Sequence, residues 1–152
     1  MRWILLPLAI PAVMIGFPLL FVILDQQASD ERDPDYARYA AIFAEMRDRP
    51  PEKREGAMID LGHLNGGAWT TACLFGGYTH PATEMEKFGA IIVDTAKGRG
   101  EVREFSVVAA YMDPTNRAHF VRFRQGIGAD GQHLRKCVTK PVTQIVLDGK
   151  MS

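Results

Sequence analysis

The sequence predicts an α+β domain held behind one N-terminal transmembrane helix. Three observations predict it. The stretch from Trp3 to Leu24 carries no charged side chain. A single amphipathic helical pattern follows, bounded by Asp33-Pro34 and Pro50-Pro51. From Trp69 onward the chain breaks into short, β-rich segments separated by Gly, Pro, Asn and Asp clusters. The expected organisation is an anchor over 1–25, a linker over 26–33 and an extracytoplasmic α+β domain over 34–152. That domain is expected to pack one amphipathic helix on an antiparallel sheet of about five to six strands.

The apolar run comes first. As a helix its 22 residues extend about 33 Å, enough for a hydrocarbon core of roughly 30 Å. A secretory signal has a shorter apolar region and then a small-x-small cleavage site. Here Leu24-Asp25-Gln26-Gln27-Ala28 offers Gln26 where a small residue belongs. A retained anchor is the expectation and a cleaved signal the alternative. Arg2 precedes the run, and Asp25, Asp30, Glu31, Asp33 and Asp35 follow it. The positive-inside rule then leaves the N-terminus cytoplasmic and the domain on the periplasmic or extracellular side.

Pro7, Pro11 and Pro18 fall on one face of that helix, and each removes a backbone donor. Ala9, Ala12 and Gly16 fall on the opposite face. Small residues three or four apart let a second helix approach closely. They are the candidate contact with a partner's transmembrane helix; a lone anchor that tolerates its prolines is the alternative.

In "DPDYARYAAIFAEMRDRPP", Asp33 is the expected N-cap and Pro34 the first helical residue. Tyr36, Tyr39, Ala40, Phe43 and Met46 make one stripe at helical spacing, expected to cover the sheet. "AMIDLGHLNGGAW" is expected to be turn-rich, "WTTACLF" a strand, and "GGYTHPATEMEK" a break. The rest is expected to be a meander of strands near 89–94, 102–113, 117–125, 132–140 and 143–148. "DPTN" at 113–116 has type I turn composition.

The chain has 152 residues and a formal charge of zero, but the charge is uneven. Residues 117–152 hold seven bases against two acids, a net of +5. A basic region suits an anionic partner. A neutral chain outside the cytoplasm argues against nucleic acid. A 117–140 hairpin turning near Ala129 would set Arg122 opposite Lys136 and Arg124 opposite Leu134. Like charges so placed are unfavourable unless solvated or met by an anion. Arg122, Arg124, Arg135 and Lys136 are therefore the candidate anionic-partner contacts.

Cys73 and Cys137 are the only cysteines, and in an oxidising compartment they are expected to form a disulfide. His63, His80, His119 and His133 lack metal-ligand spacing. The phosphate- and dinucleotide-binding glycine patterns are missing, so no cofactor is implied. Ser29, Ser106 and Ser152 sit in no nucleophile elbow. Trp69 and Tyr78, beside Gly66-Gly67 and Gly76-Gly77, are the candidate floor of a shallow groove. The function expected is a non-catalytic accessory or assembly subunit whose partner is an integral membrane protein or complex. The alternative is a membrane-tethered ligand-binding domain using that groove.

Overall fold

The computed structural model describes residues 31–94, 100–103, 106–124, 127 and 134–147. The expected anchor, with Ala9, Ala12 and Gly16, lies outside the described residues, as do Ala129 and His133. Among the described residues, no helix is long and apolar enough to cross a membrane.

Helix α1 (Tyr36–Asp48) starts two residues later than expected if Asp33 were the N-cap. Asp33 instead shapes the turn into the helix. Its Oδ1 accepts the Asp35 N–H at 2.9 Å, and its carbonyl accepts the Tyr36 N–H at 3.0 Å. Tyr39, Phe43 and Met46 are buried, and Tyr36 and Ala40 pack at their margin, so the stripe faces the core as its spacing predicts. The helix ends where Arg49 turns extended, at φ −71° and ψ 143°. A residue before proline is pushed there. Arg54 reaches back and donates to the carbonyls of Arg47 and Arg49, both at 2.8 Å. That satisfies acceptors the helix end would leave open.

Among the described residues, seven strands follow. β1 (Met58–Asp60) pairs antiparallel with β7 (Gln144–Val146) in a two-stranded ribbon. The other five are β2 (Thr71–Phe75), β3 (Ile91–Ile92), β4 (Val107–Met112), β5 (Arg117–Phe123) and β6 (Arg135–Thr139). They form one sheet in the order β3-β5-β4-β2-β6. The α+β class stands, but the antiparallel meander does not. β3 runs parallel to β5, so the sheet is mixed. The short helix α2 (Pro81–Glu86) makes the crossover from β2 to β3 in the segment expected only to break a strand.

β2 is buried at all five positions and β4 at all six. Both carry apolar residues on both faces because both faces are covered. α1 and the ribbon cover one face. Its core joins Tyr39, Phe43, Trp69, Leu74, Tyr111 and Phe123. Phe123 stacks on Tyr36 at 5.1 Å and meets Phe43 edge-on at 4.9 Å. Full burial of each such side chain contributes about 1.5–3 kcal/mol. α2 covers the other face, where Ala82 and Met85 meet Phe75, Val108 and Phe120.

The register defines two ends of the sheet. At one end a row runs Thr139–Thr71–Met112–Ala118–Ile92. At the other, a row runs Arg135–Phe75–Val108–Arg122. The first turn of α1 is held from two directions: Tyr36 stacks on Phe123, beside the Arg122 row, and Asp35 is bonded from the loop that precedes β2. Asp35 Oδ2 accepts the Asn65 N–H at 2.6 Å, just before β2 begins.

Candidate functional site

The candidate residues divide between the two ends. Cys73 and Cys137 stand directly opposite each other on β2 and β6, and they are joined by a disulfide with S–S 2.06 Å. The bridge fastens edge strand β6 to a strand buried throughout its length. Cys73 is fully buried among the residues under α2.

The four basic candidates do not share a hairpin. β4 and β2 lie between β5 and β6, which puts Arg122 opposite Val108 and Lys136 opposite Leu74. Strand alternation corrects a second point. Lys136 lies on the α1 face, while Arg122 and Arg135 lie on the α2 face. Those two arginines close the ends of one apolar row, three strand spacings or roughly 14 Å apart. Arg124 follows β5 at the same end and is exposed. The guanidinium of Arg122 lies beside Gly100, where an added Cβ would sit 3.6 Å from Nη2.

Arg135 has an anion within the domain. Its Nη2 lies 3.4 Å from Glu84 Oε1, which also accepts Lys87 Nζ at 2.9 Å. Glu84 is buried on α2. Two cations offset the cost of burying its carboxylate. Arg135 keeps 55 % of its side chain exposed and can still meet a further anion. The sequence reading missed Glu84 because its helix spans too few residues for a period to show.

A second cluster sits at the opposite end, in the turn between β4 and β5. Asp113 Oδ1 accepts the Thr115 N–H at 2.8 Å, the Thr115 hydroxyl at 2.6 Å and the Arg117 N–H at 3.1 Å. Its Oδ2 lies 2.9 Å from His119 Nε2. The Thr115 and His119 hydrogen bonds hold its carboxyl well below the usual carboxylate range. The His119 ring stacks on Tyr111 at 5.0 Å. Burial, then the charges of Asp33, Asp35 and Asp113, push the Tyr111 phenol up to about 12. The Asp113 carboxylate organises the "DPTN" turn and orients the imidazole. The signal was present as Asp at the first turn position.

Trp69 and Tyr78 do not meet in a groove. Trp69 is 2 % exposed and lies in the core under α1, before β2. Tyr78 is exposed beyond the other end of β2, and its N–H donates to the Val102 carbonyl at 2.8 Å. Lys140 covers the Trp69 ring, with Nζ 5.0 Å from the centroid, and donates to the Gly67 carbonyl.

Among the described residues, no group of three or more His, Cys, Asp or Glu side chains could hold a metal ion. What the arrangement offers is a bridged scaffold with arginines at one end and a hydrogen-bonded turn at the other. Comparison with family models, curated proteins and solved structures gives no match.

Proposed function

We propose that this chain is a membrane-anchored, non-catalytic accessory or assembly subunit of a membrane protein complex. Residues 3–24 hold it in the bilayer, with Ala9, Ala12 and Gly16 against a partner's transmembrane helix. The domain stands outside the cytoplasm, and its Arg122, Arg124 and Arg135 end meets an anionic patch of the partner. The observation that carries this reading is the Cys73–Cys137 bridge behind an uncharged run of membrane-spanning length. Structural disulfides persist in oxidising compartments. The arginine-bearing end adds to it, because Arg122 and Arg135 close the two ends of one row and Arg135 stays exposed.

The test is purification of the tagged full-length chain from membranes in mild detergent, with mass spectrometry of what accompanies it. A stoichiometric membrane complex is expected. It should disappear when residues 1–28 are replaced by a cleavable signal, and dissociate when Ala12 and Gly16 are made bulky. A chain recovered alone sinks the reading.

A further inference from the structure

A tyrosine occupies a backbone position that suits glycine. Tyr78 has φ +62°, in the left-handed region where a bulky side chain is strained. Gly76 and Gly77 stand immediately before it, and neither is at positive φ. The permissive residues are thus set where the backbone does not require them, and the ring where it does. Local hydrogen bonds hold the turn in place. The Tyr78 N–H donates to the Val102 carbonyl, and the Val102 N–H donates to the Thr79 carbonyl, both at 2.8 Å. The Thr79 hydroxyl donates to the Gly76 carbonyl at 2.6 Å. Strained backbone persists only where its surroundings over-determine it, and it concentrates at functional positions. The ring held in this way is 48 % exposed.

Its loop spans the gap between two of the arginines. On one side the Gly76 N–H donates to the Leu134 carbonyl at 2.8 Å, next to Arg135. On the other, Val102 lies two residues from Gly100, which sits beside the Arg122 guanidinium. Tyrosine and arginine are enriched among the residues that carry binding energy in protein interfaces. Guanidinium groups take carboxylates through paired hydrogen bonds. A tyrosine ring adds contact area at low entropic cost. A bilayer or a free phosphate would need the cations alone and gives no reason for a strained ring between them.

We infer that Tyr78, Arg122 and Arg135 form one contact surface for an acidic protein segment. The ring packs against that segment, and the arginines take its carboxylates. This rests on the accessory-subunit reading above and names the chemistry of the partner's contact. Contacts within the chain hold Tyr78 and Arg122 as well. Arg135 has Glu84. The partner's segment therefore adds to these contacts and does not stand in for them.

The test places a photoreactive tyrosine analogue in the full-length chain, as Tyr78→benzoylphenylalanine, and as Pro114→benzoylphenylalanine in the turn at the far end. Each chain is purified in mild detergent with the membrane complex that accompanies it, and irradiated. Position 78 should cross-link to a protein subunit of that complex, within a peptide that carries Asp or Glu. The yield should fall severalfold when Arg122→Glu and Arg135→Glu are added, and position 114 should give no such product. A complex that shows no cross-link from 78, or equal cross-links from 78 and 114, would overturn the inference. So would a product with lipid or with a second copy of this chain. Tyr78→Gly separates contact from packing. It should leave the thermal midpoint unchanged or higher, because glycine relieves the strain, while co-purification of the complex weakens. A lower midpoint would mean that the ring is kept for packing, and an undiminished complex that it is not a contact; either overturns the inference. A wild-type chain that brings a complex but does not cross-link from 78 loses only this inference, whereas a chain recovered alone loses the accessory-subunit reading as well.

Discussion

Removing the Cys73–Cys137 bridge should cost the domain a large share of its stability. The bond joins residues 64 apart in sequence. For a loop of that length, the chain-entropy relation gives about 4 kcal/mol at 25 °C. A domain of this size is stable by only about 5–15 kcal/mol, so the loss would dominate its unfolding. The site adds a structural reason. Cys73 is fully buried beneath α2, and β6 is an edge strand with β2 as its neighbour in the sheet. Cys73→Ala with Cys137→Ser suits the two environments, one dry and one partly wet. Urea unfolding of the full chain in mild detergent should show a lower midpoint with an unchanged native far-UV spectrum. Reductant should lower the wild-type midpoint and leave the variant's alone. Thiol labelling of the unfolded, unreduced protein gives the direct check. Two reactive thiols, or a variant with the wild-type midpoint, would refute the reasoning and remove the main support for an oxidising compartment.

Phe123→Ala should destabilise by about 3–5 kcal/mol, because it empties the space among Tyr36, Tyr39 and Phe43; calorimetry that finds under about 1 kcal/mol would mean the ring is not in the core. Asp113 should make the turn acid-sensitive. Its folded pKa is depressed, so its stabilisation is present above the ordinary value of 3.8 and is lost as pH falls through the folded one. Asp113→Asn should therefore flatten the acid limb of stability against pH, and parallel limbs would contradict the assignment. Arg122→Glu with Arg135→Glu should weaken capture of the partner, with a deficit that depends on salt; unchanged capture would leave those arginines as solvated charges.

The parts legible in the sequence were those in which one segment carries its own signal. Tyr36, Tyr39, Phe43 and Met46 announce a helix face without reference to the rest of the chain. Thr71–Phe75 is a strand in the structure as in its alternation. Strand order was not legible, because it depends on pairs distant in sequence. Arg117–Phe123 and Arg135–Thr139 look like a hairpin around a Gly-rich turn, yet they pair with other strands. The expected disulfide held a correction that went unused: bridging Cys73 to Cys137 sets β6 beside β2. Met58–Asp60 escaped notice because three residues show no period, and its partner lies at Gln144–Val146. Trp69 looked like the floor of a groove because glycines lie beside it, yet it is buried in the core. Nothing in its neighbours announced the Lys140 side chain that covers it.

The pairing of β1 with β7 has a consequence for how the molecule is made. Met58 is partnered by Val146, and Asp60 by Gln144. The earliest strand to leave the ribosome therefore waits for the latest of the seven. At typical rates of synthesis, of about 5–20 residues per second, that wait is on the order of ten seconds. Through it Ile59 and Leu61, both destined for the core, have neither ribbon partner nor finished sheet to cover them. Such late closure is the circumstance in which a holding chaperone shelters a nascent domain. It also means that a chain shortened before Gln144 loses a layer of the fold and not merely its last strand.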